Sequence, residues 1–120
     1  MELKELTKAE EEVMQVLWKN KKGFVKELLE EFPEPKPAYN TVSTIVRILE
    51  TKGFVDHKAY GKTHEYFPLV GKDEYSDFMM NSMMKNYFGN SVKKMVSYFA
   101  KNNKLSLKEL DDILKEFKKK

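Results

Sequence analysis

The sequence predicts a mainly α-helical fold with one small β-hairpin wing. A winged helix-turn-helix domain over residues 1–70 would precede a helical dimerisation segment over residues 71–120. Three observations predict it. Three helical periodicities come before a single hairpin pattern. The third helix carries a solvent stripe almost free of charge. The C-terminal segment holds more large apolar side chains than its short helices can enclose.

Thr7-Lys8-Ala9-Glu10 reads as a capping box, the Thr hydroxyl accepting from the third helical amide while Glu10 reaches back. Ala9, Val13, Val16 and Leu17 then follow at helical spacing until about Asn20. A second short helix, with Leu28, Leu29 and Phe32 apolar, begins at Phe24-Val25 and stops at Pro33. The stretch Pro33-Glu34-Pro35-Lys36-Pro37 cannot be helical and makes a stiff connection. Trp18 and Phe24 read as core residues.

The third helix spans about Ala38 to Lys52, with Gly53 at the position after its end. At 100° per residue, Val42, Ile45, Val46 and Leu49 form its buried face. Asn40, Thr44, Arg47 and Thr51 lie opposite, with Ser43 at the flank. An ordinary solvated face would carry Glu and Lys, as the first helix does. Uncharged hydrogen-bonding side chains plus one Arg suit base edges in a DNA groove. Asn40, Ser43, Thr44 and Arg47 are therefore candidates for base reading.

Phe54-Val55-Asp56-His57-Lys58-Ala59 and His64-Glu65-Tyr66-Phe67 read as paired strands joined by Tyr60-Gly61-Lys62-Thr63. This wing would present Lys58, Tyr60 and Lys62 beside the third helix. With Tyr39, Thr41 and Thr51, these are candidates for phosphate contacts, which position a protein on DNA without specifying sequence.

Helices are expected from about Lys72 to Phe88, from Asn90 to Lys101, and from the capping box Ser106-Leu107-Lys108-Glu109 onward. Their apolar positions are Tyr75, Phe78, Met79, Met83, Tyr87, Val92, Met95, Val96, Phe99, Leu110, Ile113 and Leu114. Burying one such side chain is worth about 1.5–3 kcal/mol. A twofold pairing of chains would cover them and produce two readers for a pseudo-palindromic site.

Composition closes off other classes. The net charge is +3, from a balance of −3 over residues 1–35, +2 over 36–71 and +4 over 72–120. Such a chain suits one positive face better than nonspecific coating of nucleic acid. There is no Cys, which removes disulfides, thiolate metal sites and cysteine nucleophiles. No apolar run approaches the roughly 18–20 residues of a membrane span, and the N-terminus lacks signal-peptide order, so a cytoplasmic location without membrane insertion is expected. His57 and His64 have neither a nucleophile nor a carboxylate dyad at catalytic spacing, and no phosphate-binding Gly loop occurs. An enzyme is not expected, and neither is a cofactor.

Three bland readings compete with sharper ones. Met79, Met80, Met83 and Met84 suit Cu(I) chemically, but their spacing equally makes a broad helix seam. His57 and His64 could form a zinc pair, yet lack further clustered ligands, so no metal is expected. The Lys118-Lys119-Lys120 tail reads as a solvated terminus. The whole chain could also be a protein-interaction winged helix without specific DNA binding.

Beyond this reading, several segments resemble the penicillinase-repressor (BlaI/MecI/CopY) family. They are Leu6-Thr7-Lys8-Ala9-Glu10 with Val13-Met14 and Leu17-Trp18, Tyr39-Asn40-Thr41-Val42-Ser43-Thr44 with Arg47-Ile48-Leu49, and Lys52-Gly53-Phe54-Val55. The likeness continues through Gly61-Lys62, Tyr66-Phe67-Pro68-Leu69-Val70, Glu74-Tyr75, Tyr87-Phe88-Gly89-Asn90-Ser91 and Phe99-Ala100-Lys101. It runs from Leu6 to about Lys115. The resemblance implies a homodimeric repressor of a resistance or homeostasis operon, partnered by a double-stranded DNA operator. It also implies inactivation by an inducing protease, triggered through a membrane-bound β-lactam sensor. In the family the cleaved bond lies in Asn-Phe-Ala. Here Ser97-Tyr98-Phe99-Ala100 stands at that place, with Tyr98 replacing Asn, so Tyr98 and Phe99 mark the candidate cleavage site. The copper-responsive branch senses metal through C-terminal cysteines, which this chain lacks.

Overall fold

The computed structural model describes residues 3–102 and 106–118 of the 120-residue chain. The element order is α1 (Lys8–Asn20), β1 (Gly23–Phe24), α2 (Val25–Glu30), α3 (Tyr39–Thr51), β2 (Val55–Tyr60), β3 (Thr63–Pro68), α4 (Lys72–Phe88), α5 (Val92–Lys101) and α6 (Leu107–Lys118). Two compact units, Met1–Phe78 and Met79–Lys120, divide inside α4. The mainly helical winged-helix architecture predicted from sequence is present.

In the first unit the capping box at Thr7 is formed. The Glu10 amide donates to Thr7 Oγ1 at 3.2 Å, and the Thr7 amide donates to Glu10 Oε1 at 2.9 Å. The buried face of α1 is Glu10, Val13, Met14 and Leu17, while Ala9 is exposed. This corrects the expected face: Val13 and Leu17 stay inward while Glu10 and Met14 take the places of Ala9 and Val16, a rotation of less than the roughly 100° of one residue. A carboxylate can occupy a core position only if it is paired. Lys52, at the end of α3, supplies the pair, its Nζ lying 2.9 Å from both Glu10 oxygens. Burial by itself would raise the Glu10 pKa. The Lys52 hydrogen bond and charge, with the Thr7 amide, outweigh burial and hold it below its ordinary value.

β1 was not expected, since Phe24 reads as the start of a helix. Gly23 and Phe24 instead pair antiparallel with Tyr66 and Glu65, giving a three-stranded sheet in the order β1-β3-β2. A two-residue strand leaves no period to detect. The β2–β3 register runs from Val55↔Pro68 to Tyr60↔Thr63. Gly61, φ 65°, supplies the left-handed residue of the two-residue loop.

Phe54 belongs to the joint between α3 and the wing rather than to a strand. Its amide donates to the Leu49 carbonyl at 2.9 Å, and its carbonyl accepts from the Leu69 and Val70 amides at 2.8 and 3.3 Å. The preceding Gly53 has φ 82°, the left-handed conformation that turns the chain out of the helix. The Phe54 ring is 1% exposed and meets the Tyr75 ring edge-on at 5.7 Å.

Tyr75 is the clearest departure from the sequence reading. It was expected at a dimer seam, but it is 4% exposed and closes the core of its own first unit. Its hydroxyl oxygen accepts from the Leu6 amide at 2.8 Å, and its ring lies 6.0 Å from Trp18. Burial pushes its hydroxyl pKa up, with smaller contributions from Glu11, Glu5 and Glu10 opposing the Leu6 hydrogen bond. Phe78 is half-buried with its ring 5.8 Å from that of Tyr75. The start of α4 thus completes the winged-helix core, because α1, the α3–wing joint and Leu6 leave an apolar gap with one amide to satisfy. Trp18 anchors the same region, its Nε1 donating to the Val70 carbonyl at 2.9 Å.

The second unit is built differently. Asn90 adopts φ 61°, and Ser91 caps α5 by accepting from the Lys94 amide at 3.1 Å, so α5 starts slightly later than expected. Ser106 caps α6 reciprocally with Glu109 as predicted. None of the described side chains from Met79 onward is buried. Met83, Tyr87, Val92, Tyr98, Ile113 and Leu114 are all exposed, Tyr87 at 79%. Met79, Met95, Val96, Phe99 and Leu110 are half-buried. Lys119 and Lys120 of the basic tail lie outside the described residues. Among the described residues, no helix is long and apolar enough to cross a membrane.

Candidate nucleic-acid interface

Helix α3 packs on α1 and α2 through Val42, Val46 and Leu49, each 0% exposed, while Ile45 is half-buried at the edge. The opposite face therefore points to solvent. Asn40, Thr41, Thr44, Arg47 and Thr51 are exposed, Ser43 is half-buried, and Tyr39 is 51% exposed at the helix start. The single acid of α3, Glu50, is turned aside: its carboxylate contacts His57 Nδ1 on β2. That contact ties α3 to the wing and leaves the outward face free of negative charge.

Arg47 does not project freely. Its Nη2 donates to Ser43 Oγ at 3.0 Å and its Nε to the Ser43 carbonyl at 3.3 Å, laying the guanidinium along the helix. Thr51 Oγ1 donates to the Arg47 carbonyl at 3.1 Å. On the wing, Lys58, Tyr60 and Lys62 are exposed. Lys58 Nζ lies 5.3 Å from the Tyr60 ring centroid, and the Tyr60 ring meets Phe24 edge-on at 5.7 Å. The tip of the wing is thereby braced against β1.

Between α3 and the wing lies an open cleft of about 700 Å³. It brings together Tyr39, Ser43 and Arg47 from α3 with Lys62 and His64 from the wing, over a floor that includes Tyr66. Burial pushes the Tyr66 hydroxyl pKa up, and the nearby Glu50 charge adds to this, so it stays a neutral phenol. Lys26 also lines the cleft, a cation that the sequence reading passed over. Thr44, Arg47, Ile48, Thr51 and Lys52 surround a separate shallow depression of about 340 Å³ on the other flank of α3. Ile48, 42% exposed, was also passed over. It belongs to neither the apolar nor the polar stripe, and an aliphatic residue on an otherwise polar flank was the available signal.

His57 and His64 are stacked face to face, with ring centroids 4.1 Å apart and planes 9° from parallel. Glu50, Asp56 and His57 hold ligand-type atoms within 4.8 Å of one another. Two of those three groups are already engaged with each other, and the Asp56 carboxylate accepts from the His57 amide at 2.7 Å.

The family model described as the penicillinase repressor matches residues 6–119. The chain belongs to this family. Among curated relatives of this penicillinase-repressor chain, a penicillinase repressor of Bacillus licheniformis is 28% identical over 118 residues, 95% of this chain and 92% of the relative. The methicillin resistance regulatory protein MecI of Staphylococcus aureus (strain N315) is 26% identical over 110 residues, covering 91% of this chain and 89% of the relative. The solution structure of the DNA-binding domain of the repressor BlaI superposes with a TM-score of 0.53 at 27% identity, spanning 62% of this chain and 92% of that one. This chain's winged-helix fold is thus similar to that of the BlaI DNA-binding domain.

Proposed function

We propose that this protein is a sequence-specific DNA-binding repressor, acting as a homodimer on a pseudo-palindromic operator of a resistance or homeostasis operon. The observation that carries this is the outward face of α3: a row of uncharged hydrogen-bonding side chains and one Arg, with its single acid sequestered by His57. In this reading α3 enters the major groove, where Asn40, Ser43, Thr44 and Arg47 face base edges. Tyr39, Thr41, Thr51, Lys58, Tyr60 and Lys62 contact flanking phosphates. The membership of the chain in the penicillinase-repressor family, and its likeness to the BlaI DNA-binding domain, support the reading.

Selection from a random-sequence duplex library, followed by binding titrations at several salt concentrations, tests it. Lys58→Ala and Lys62→Ala should each weaken binding to all sequences and reduce the salt slope by about 1. Arg47→Ala should cost about 1–3 kcal/mol on the selected site and relax its specificity there. A selection that enriches no sequence would favour a protein partner for α3 instead.

Homodimerisation is supported by the second unit, whose described side chains include none that is buried. A helical unit without a buried core of its own is stabilised by burying those faces against a second copy. Phe99→Asp should convert the dimer to a monomer in analytical ultracentrifugation and abolish operator binding at micromolar protein. A variant that stays dimeric and binds as the parent does would remove Phe99 from the seam. We place the inactivating cut of an inducing protease at Tyr98–Phe99 in α5, where Tyr98 is 48% exposed. Cleavage there severs Phe99 and α6 from the rest of the second unit. Mass spectrometry of the protein from induced cells reads the new terminus directly.

A further inference from the structure

Among the large hydrophobic side chains exposed in the first unit, Tyr39 and Tyr60 carry hydroxyls and Leu69 lies beyond the wing. Ile48 is different: a purely aliphatic side chain, 42% exposed, on the solvent side of α3. Leaving an isoleucine there forgoes apolar burial unless something covers it when the protein acts. Its surroundings say what fits. Thr44 lies one turn before it and Thr51 one turn after, so three methyl-bearing side chains share one flank around the shallow depression. Arg47 borders that depression and Lys52 closes it, with the Lys52 charge already committed to Glu10. The patch is far smaller than the roughly 800 Å² per partner of a stable protein interface. The Arg47 charge at its border suits a polyanion, and its centre suits a single methyl group. Arg47, which would otherwise lead the face, must first release two contacts to Ser43, whereas Ile48 needs no rearrangement.

We propose that Ile48 is a specificity-determining residue that reads the 5-methyl group of a thymine in the major groove, with the Thr44 methyl beside it. Thymine is the one base whose major-groove edge carries a methyl group. The inference rests on the DNA-binding reading above and adds a base to it. Ile48 reads on the flank away from the wing, Ser43 faces the cleft beside it, and Arg47 borders both.

The test uses the full chain and the duplex it enriches from a random-sequence library, with each thymine replaced in turn by uracil, which differs only in lacking the methyl. At one thymine, uracil should weaken binding about fourfold, the worth of one buried methyl. Ile48→Ala should erase that difference without changing the salt slope. A site in which every uracil is neutral overturns the inference and leaves DNA reading standing. So does a uracil penalty that persists unchanged in Ile48→Ala. A library from which nothing is enriched removes the DNA reading itself, and this differs from both of those results. Because Ile48 lies on the surface, Ile48→Ala should keep the parental unfolding temperature, which separates lost contact from lost fold.

Discussion

Phe54→Ala is expected to cost about 3–5 kcal/mol of stability, the range for truncating a buried aromatic residue. Phe54 is 1% exposed and sits where α3, the end of β3 and α4 converge. Its backbone contacts to Leu49, Leu69 and Val70 survive the substitution, so the void left by the ring accounts for the loss. In a domain of this size each kcal/mol is worth about 4–8 °C. The unfolding temperature of the winged-helix unit, followed by circular dichroism, should therefore fall by at least about 12 °C. A drop of only a few degrees would mean that the Tyr75 and Leu49 side chains collapse into the space, and that the joint is softer than its packing indicates.

Lys52→Met is the second large effect. It leaves Glu10 buried without its cation, and breaking a buried pair from one side costs about 3–5 kcal/mol. Lys52 retains 29% of its side-chain exposure, so water screens part of this and about 2–3 kcal/mol is expected at pH 7. The pH dependence gives an independent check. The Glu10 pKa is lowered in the folded protein from its ordinary 4.5. A depressed carboxylate contributes stability that is fully present above the unfolded value and disappears as the pH falls through the folded one. In Lys52→Met burial, which raises the pKa, is opposed only by the Thr7 hydrogen bonds. The stability gap between parent and variant should then be full at pH 7, start to shrink as the pH falls through the variant's higher Glu10 pKa, and keep shrinking until the parent's lowered one is passed. Chemical denaturation at a series of pH values measures it. A gap that is constant from pH 7 to pH 3 would show that Lys52 acts through packing of its methylene stem instead of its charge.

Much of the architecture was legible in the residues. The capping boxes at Thr7 and Ser106, the apolar run Val42, Val46 and Leu49, the left-handed Gly53 and Gly61, and the start of α4 at Lys72 follow from local chemistry. They do not depend on what lies across the core. The candidate interface was equally legible as a face, since helical periodicity places Asn40, Thr44, Arg47 and Thr51 opposite the buried stripe.

What sequence periodicity missed are positions where partners distant in sequence decide. Glu10 looks like a solvent residue until Lys52 arrives 42 residues later to neutralise it, and only then does α1 turn that face inward. Phe24 reads as the start of a helix by local pattern, yet with Gly23 it becomes a strand because the open edge of β3 is within reach. Tyr75 shares its helix with the exposed Met83 and Tyr87, yet the unsatisfied Leu6 amide and the rings of Trp18 and Phe54 draw it into the first unit.

The sequence by itself thus determined the helices, the wing and the polar outward face of α3, because each depends on residues within one or two turns of one another. Only the tertiary structure decided which way α1 is rotated, that α4 begins as part of the winged-helix core, and that Arg47 lies back on Ser43 while Ile48 stands out. Those outcomes depend on burial and charge pairing between residues far apart in the chain, and no local period encodes them.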